Sequence, residues 1–304
     1  MSWQRSVLNN WLTWFEKPAM ARAASHDEMR RRFESSARLF FHGPRDVARH
    51  WRDLGSGEAL WLEPKGADAG QVLLYFHGGG YIFGSPRTHA AMVAALARRA
   101  GLRAVLPVYP LAPEAPYPAA LDRAEDAYHA LVASGVSPQR IIMGGDSAGG
   151  GLVLALLARL IQCGADLPAG VFAFSPLTDL TFSGASLQVN ARCEAMLPTN
   201  RVSEMAEAYL HGTAPTDPQA SPLFADFKGA PPTWIAAGDT EILLDDTRRL
   251  VPRMKAQGVS VQMHIAHDVP HVWPMFHNTL PEARQTLDQL AGWIRTRLAA
   301  AGES

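Results

Sequence analysis

The sequence predicts an α/β protein whose central sheet is mostly parallel and flanked by helices. Short apolar segments alternate with helical segments from about residue 58 onward, an alternation typical of a parallel sheet. Residues 72–76, VLLYF, are continuously apolar, as expected of a strand buried on both faces. With 304 residues, 47% of them hydrophobic, the chain is also long enough to bury a large core.

Each segment is assigned by its length and by the spacing of its apolar residues. The predicted strands are residues 59–62, 72–76, 103–109, 140–143, 171–175, 233–237 and 261–265. The predicted helices are residues 90–99, 119–133, 152–161, 201–210, 246–257 and 282–298. Residues 180–230 interrupt the alternation with polar residues and a proline-rich loop, which indicates an insertion.

The first 45 residues differ in pattern from the rest of the chain. Their apolar side chains recur at helical spacing, at Trp3, Val7, Leu8, Trp11, Leu12 and Phe15. The polar face lacks the Lys and Arg content of a membrane-surface helix, so packing onto the protein is favoured. We expect residues 1–45 to form N-terminal cap helices. Residues 46–304 then form the main domain, with a cap insertion at about 180–230.

Composition excludes several classes of function. The formal net charge is −1 and the basic residues are dispersed, so no nucleic-acid partner is expected. Cys163 and Cys193 have neither metal-ligand spacing nor a disulfide framework, and each is expected to be a buried, reduced side chain. The N-terminus lacks a signal-peptide pattern and no apolar run is long enough to span a membrane, which predicts a cytoplasmic location.

The segment GDSAGG, residues 145–150, carries the strongest chemical signal. It follows the apolar run 141–143 and precedes the apolar helical run 152–157. A Gly-x-Ser-x-Gly segment in this context places its serine at the apex of a sharp strand-to-helix turn, where side chains two residues away would collide. Short motifs of this type also occur by chance, but the flanking strand and helix favour Ser147 as a nucleophile.

The glycine-rich segment HGGGY, residues 77–81, also ends a strand-like run. Glycines allow the backbone to approach a substrate carbonyl, so the N–H groups of Gly78 and Gly79, with that of Ala148, are candidate oxyanion donors. A phosphate-binding loop would have Lys-Ser or Lys-Thr after the glycines, where this chain has Tyr-Ile. We interpret His77 as a brace for this loop.

A serine nucleophile requires a base, and the chain has eleven histidines. For a serine on this kind of turn, the acid and then the histidine follow in chain order. His271 lies on a loop after the last predicted strand, whereas His264 falls within that strand. His271 is therefore the predicted general base.

The acid that would orient this histidine is less clearly marked. Four carboxylates follow the strand at 233–237, namely Asp239, Glu241, Asp245 and Asp246. Asp245 and Asp246 also fit the first turn of a helix, and Asp239 fits a turn. The residues alone leave these candidates open.

The chain resembles the hormone-sensitive-lipase-like branch of the α/β-hydrolase family, the bacterial family IV carboxylesterases. The resemblance rests on four motifs in order: HGGGY at 77–81, YPLAPE with PYPAA at 109–120, GDSAGG at 145–150 and PHVW at 270–273. The family's acid usually begins an Asp-Pro-Leu-x-Asp-Glu segment, which corresponds here to EILLDD at 241–246. Keeping the leucine and the acidic pair in register places Glu241 on the acid, with Asp239 as the alternative.

The resemblance implies an α/β-hydrolase fold with a helical cap and a serine carboxylesterase of short to medium acyl esters. Ser147, His271 and Glu241 would be catalytic, and Gly78, Gly79 and Ala148 would bind the oxyanion. It implies no metal or organic cofactor, a small-molecule ester substrate and, since members are often dimers, a homodimer. An amidase or peptidase with the same residues, or a non-catalytic receptor on this fold, are the alternatives.

Overall fold

One eight-stranded sheet organises residues 2–301, the part of the chain that this computed structural model describes. Its strands are β1 (Val47–Asp53), β2 (Glu58–Pro64), β3 (Asp68–Phe76), β4 (Leu102–Pro107), β5 (Ile141–Asp146), β6 (Gly170–Phe174), β7 (Thr233–Gly238) and β8 (Val261–Ala266). They lie in the order β1-β2-β4-β3-β5-β6-β7-β8. Only the β1–β2 and β2–β4 pairs are antiparallel, which confirms the predicted α/β fold with a mostly parallel sheet.

Helices precede the first strand, connect later strands and follow the last strand. They are α1 (Trp3–Trp11), α2 (Lys17–Ala21), α3 (His26–Phe40), α4 (Pro86–Ala100), α5 (Ala119–Ala133), α6 (Ser147–Gln162), α7 (Ser186–Val189), α8 (Val202–Leu210), α9 (Leu244–Ala256) and α10 (Pro281–Ala301). Helix α4 packs on β2, β4 and α10, whereas α6 packs on β5, β6 and α5. Every residue of β5, β6 and β7 is buried, because helices cover both faces of these strands.

The predicted segments coincide with elements of the structure, but several elements were not predicted individually, among them β1 and α3. In β1 only Val47 is buried and the other six positions are exposed, so no apolar run marks this edge strand. Helix α3 begins after Ser25, whose hydroxyl accepts a hydrogen bond from the Glu28 N–H and caps the first turn. Its buried residues are Met29, Phe33 and Ala37, which recur at helical spacing.

The N-terminal helix packs on the protein along one edge only. A π-helical segment, Leu12–Glu16, joins α1 to α2, and Leu12 is buried in the core. Trp3 and Phe15, in contrast, are 73% and 65% exposed. The predicted packing onto the protein therefore holds for one face of this N-terminal segment, whereas its other face is exposed to solvent. Within residues 2–301, none of the helices combines the length and the apolar character needed to cross a lipid bilayer.

Both cysteines are exposed, so the prediction that they are buried is wrong. Cys163 is the residue at the C-terminal cap of α6, where the chain leaves the protein core. Cys193 lies in a turn of the insertion, and its N–H donates to the Asn190 carbonyl. Their neighbours Gln162, Gly164 and Arg192 are also exposed, so both cysteines lie on surface segments.

Candidate active site

The predicted site residues meet at one edge of the sheet. Strands β3, β5, β6, β7 and β8 are mutually parallel, so their carboxyl ends lie side by side. Ser147 follows β5, Ser175 follows β6, Glu241 follows β7 and His271 follows β8. The glycine-rich segment 77–80 follows β3 at the same edge. The parallel arrangement of these strands therefore brings together residues that are distant in the sequence.

Ser147 is held at the apex of a turn whose geometry requires glycine on both sides. Its φ of 52° lies in the left-handed region, which is unfavourable for a serine. A Cβ at Gly145 would lie 2.2 Å from the Gly149 carbonyl oxygen, and a Cβ at Gly149 would lie 2.1 Å from the Phe76 carbonyl oxygen. Neither contact is possible without moving the backbone. The glycine spacing is therefore a steric condition for this position of Ser147.

A chain of hydrogen bonds joins the serine to a carboxylate. The Ser147 Oγ lies 2.9 Å from Nε2 of His271, and His271 Nδ1 lies 2.7 Å from Oε2 of Glu241. Because an ionised carboxylate only accepts hydrogen bonds, the imidazole hydrogen belongs on Nδ1. Nε2 is then free to accept the hydroxyl hydrogen of Ser147. This tautomer is the one that general-base chemistry at the serine requires.

The other oxygen of Glu241 is fixed by two donors. Oε1 accepts hydrogen bonds from the Ser175 hydroxyl at 2.7 Å and from the Gly238 N–H at 2.5 Å. The Glu241 side chain is only 1% exposed, so these partners replace water. Ser175 itself has a φ of 46°, and no sequence motif marks it as part of the site. The carboxylate is thus oriented before any substrate is bound.

The environment of His271 favours its charged form. Burial by itself lowers the pKa of His271, but the charge of Glu241 and its hydrogen bond raise the pKa above the ordinary value, with a smaller contribution from Glu194. An imidazolium formed during a reaction is therefore stabilised by the carboxylate beside it. His271 is 3% exposed, which keeps this interaction out of water.

A second buried carboxylate, Glu194, lies beside the acid. Its oxygens accept hydrogen bonds from the N–H groups of Met196 at 2.8 Å, Leu197 at 3.2 Å and Ile242 at 3.1 Å. Burial raises the pKa of Glu194, and the nearby Glu241 charge adds to this, while His271 opposes it. No sequence motif marks Glu194 beyond its place in the insertion.

The insertion also supports the loop that carries the acid. The side-chain amide of Asn190 donates to the carbonyl oxygens of Asp239, at 3.0 Å, and of Glu241, at 2.8 Å. Together with the bond from Ile242 to Glu194, this ties the loop after β7 to residues 190–194. The Lys17 ammonium donates to the Glu194 carbonyl at 2.7 Å, which joins the N-terminal segment to the same region.

The other acidic candidates have different partners. Asp239 accepts hydrogen bonds from the Asp268 N–H at 2.7 Å and lies 2.6 Å from Nδ1 of His267. Asp245 accepts from the Ser186 N–H, and the buried Asp246 accepts from two backbone N–H groups of the loop after β6. None of the three is hydrogen-bonded to His271 within the described part of the chain.

Gly78 requires a correction to the expected set of oxyanion donors. Its N–H donates to Oδ1 of the buried Asp146 at 3.1 Å, so it is not free to bind a substrate oxygen. A Cβ at this position would lie 2.2 Å from Oδ2 of the same carboxylate. The glycine is therefore required by the close approach of Asp146. No local pattern predicts this contact, because it joins the segment after β3 to the end of β5 in the folded chain.

Three other N–H groups remain suitable for an oxyanion. Gly79 and Gly80 line the cavity at Ser147, and neither N–H donates to another of residues 2–301. Ala148 is the second residue of α6, so its N–H belongs to the first turn, which has no acceptor within the helix. Gly79 and Ala148 were predicted as donors, whereas Gly80 was not.

A buried network supports the glycine-rich loop from below. Asp146 lies 3.2 Å from Nε2 of His89 and accepts a 2.6 Å hydrogen bond from the Tyr75 hydroxyl. Burial lowers the pKa of His77 to about 3, assisted by the charge of His89, so His77 is neutral. The ring of His77 stacks on Tyr109, with 4.3 Å between ring centroids. His77 Nδ1 lies 2.8 Å from the Gly78 carbonyl oxygen, a contact that fits the predicted role of His77 as a brace for the loop.

An apolar cavity opens onto the serine. Its volume is about 70 Å³, and Ser147 and His271 are among its lining residues. The N-terminal segment contributes Met20 and Phe33, and the segment 180–230 contributes residues that include Met196. Both segments therefore form walls above the sheet edge.

Comparison with known proteins places this chain among hydrolases. A family model described as the alpha/beta hydrolase fold matches residues 73–275. An acetyl-hydrolase from Streptomyces hygroscopicus is 39% identical over 243 residues, which cover 80% of this chain and 81% of that protein. An esterase from Acinetobacter venetianus is 38% identical over 256 residues, or 84% of each chain. The crystal structure of an esterase from the bacterial hormone-sensitive lipase family has a TM-score of 0.92 and 38% identity, covering 98% of this chain and 99% of that one.

Proposed function

This chain belongs to the α/β-hydrolase fold family, within its hormone-sensitive-lipase-like esterases, and is a carboxylic ester hydrolase; from this premise we propose a serine mechanism for it. Ser147 Oγ attacks the ester carbonyl carbon while His271 Nε2 takes its proton. The carbonyl oxygen becomes an oxyanion, which the N–H groups of Gly79, Gly80 and Ala148 bind. His271 then protonates the leaving alcohol, and the acyl group stays on the serine.

Water completes the cycle by the same route. A water molecule attacks the acyl-enzyme while His271 accepts its proton. His271 then returns a proton to Ser147 as the carboxylic acid leaves. Throughout, Glu241 holds Nδ1 protonated and stabilises the imidazolium. The observation that carries this proposal is the hydrogen-bonded chain from Ser147 through His271 to Glu241 at the apolar cavity.

We propose esters of short to medium acyl chains as substrates, handled beneath a cap. A cavity of about 70 Å³ suits a small acyl group, and one relative is named an acetyl-hydrolase. The cap would consist of the N-terminal helices within residues 1–45 and the insertion at about 180–230, since both segments line the cavity. Residues 46–304, apart from that insertion, would be the catalytic domain.

The test is hydrolysis of p-nitrophenyl butyrate by the purified protein and by Ser147→Ala. We expect the variant to lose at least about 1,000-fold in kcat, as removal of a serine nucleophile does. It should also lose labelling by a fluorophosphonate probe, which reacts with activated serines. Wild-type turnover by Ser147→Ala would disprove the mechanism. Faster hydrolysis of the matching p-nitroanilide than of the ester would identify an amidase, and failure of the folded wild type to react with ester or probe would identify a binding protein.

A further inference from the structure

A large apolar groove lies next to the small catalytic cavity. The groove, here called the cap groove, has a volume of about 430 Å³ and runs between α1 and the C-terminal half of α3. Its apolar lining includes Trp3, Val7, Trp11, Leu12 and Phe40. Several of these side chains are exposed, and exposed apolar surface of this extent commonly marks a binding region. Its size fits an alkyl chain much longer than the catalytic cavity can hold.

Two side chains form a wall that the two spaces share. Phe33 and Met196 line both the catalytic cavity and the cap groove. Each is 8% exposed, so little of either side chain reaches bulk solvent. Phe33 makes an edge contact with the ring of Phe83, with 5.3 Å between centroids, which fixes one half of the wall.

The other half of the wall has a fixed backbone and a flexible side chain. The Met196 N–H donates to the buried carboxylate of Glu194, so its main chain is held beside the acid loop. The Met196 side chain is unbranched and has three rotatable bonds, which lets it change conformation at small cost. Rotation of the Met196 side chain is therefore a way to connect the cavity with the groove that needs no movement of the main chain.

We propose that Phe33 and Met196 set the length of ester chain that the enzyme accepts, and that the cap groove binds the far end of alkyl chains that displace the Met196 side chain. The inference rests on the esterase mechanism proposed above. The ligand class is an uncharged alkyl tail, because the shared wall is apolar and its continuation along α1 is also apolar. Each methylene that enters the groove is worth about fourfold in kcat/KM, the equivalent of burying one CH₂.

The experiment compares p-nitrophenyl decanoate with p-nitrophenyl butyrate, each below its solubility limit. Met196→Ala should raise the decanoate-to-butyrate ratio of kcat/KM at least about tenfold, since it removes half of the wall. Adding Ser36→Phe, which places a ring in the groove, should return that ratio to the wild-type value. Met196→Val gives the same test with a smaller change, and thermal unfolding confirms that each variant is folded.

The matched control is Met205→Ala, because Met205 lines the catalytic cavity but not the cap groove. If Met205→Ala changes the decanoate-to-butyrate ratio of kcat/KM, the change should be the same with and without Ser36→Phe. An unchanged ratio in folded Met196→Ala and Met196→Val would overturn the inference, as would a gain that survives Ser36→Phe. In both cases, butyrate hydrolysis that depends on Ser147 would still support the proposed esterase function. If the wild type hydrolysed neither ester, the proposed esterase function itself would be wrong.

Discussion

Replacing Glu241 by glutamine should remove most of the activity without removing the side chain from its site. The Gly238 N–H can only donate a hydrogen bond, and it points at Oε1 of Glu241 from 2.5 Å. The glutamine must therefore place its carbonyl oxygen there and its NH₂ group towards His271. An NH₂ group only donates, so Nδ1 of His271 would have to give up its hydrogen.

This change of tautomer prevents His271 from activating Ser147. With the hydrogen moved to Nε2, His271 points an N–H at the Ser147 Oγ from 2.9 Å and cannot accept the hydroxyl proton. An equivalent acid-to-amide change that traps the wrong tautomer lowers kcat about 10,000-fold in a serine protease. This factor corresponds to about 5.4 kcal/mol of transition-state stabilisation. We expect a loss of this order, measured as kcat on p-nitrophenyl butyrate.

The control is Asp239→Asn. The Asp239 carboxylate is hydrogen-bonded to the Asp268 N–H and to His267. The same acid-to-amide change is therefore made at a residue that is not hydrogen-bonded to His271 or Ser147. We expect kcat to stay within about threefold of wild type, as for an exposed polar pair. A folded Glu241→Gln variant that keeps more than about a tenth of kcat would refute the tautomer argument. So would a larger loss in Asp239→Asn than in Glu241→Gln.

Two further predictions concern the turn and the pH profile. Gly149→Ala should lower the free energy of unfolding by about 2 kcal/mol or more, because its Cβ would lie 2.1 Å from the Phe76 carbonyl. Gly292→Ala, another helical position with no atom closer than 3.9 Å, should instead raise it by up to about 1 kcal/mol, and equal effects in urea unfolding would contradict the steric argument. For pH, burial lowers the pKa of His271 while Glu241 and Glu194 raise it, and only neutral His271 accepts the serine proton. The kcat/KM of the wild type should therefore fall as pH drops through this raised pKa, and Glu194→Gln should move that fall to lower pH; a shift to higher pH would count against a charge effect of Glu194.

The features that the sequence predicts are those encoded by neighbouring residues. The turn at Ser147 depends on glycines two positions away, and the buried strands depend on continuous apolar runs. The fold prediction is confirmed for this reason. The position of His271 and Glu241 followed from chain order and from a family register, and the structure brings both to Ser147. Their catalytic roles stay predictions until the variants are measured.

The features that could not be predicted from the sequence depend on contacts between segments that are distant along the chain. The Gly78 N–H bonds Asp146 across two paired strands, and no local pattern distinguishes it from the N–H of Gly79 or Gly80. Ser175 reaches Glu241 only because β6 and β7 are neighbours in the sheet. Such hydrogen bonds are properties of the assembled sheet edge, so a linear pattern cannot predict them.

The bonds from Asn190 limit how this enzyme can be re-engineered. Asn190 lies in the insertion, yet its amide holds the two carbonyls that flank Thr240 in the acid loop. Exchange of the whole insertion for that of another esterase would remove this clamp and disturb the acid, even if the new segment folded well. The insertion is therefore not an independent module. Substrate range in this chain is better changed one wall residue at a time than by transplanting a segment.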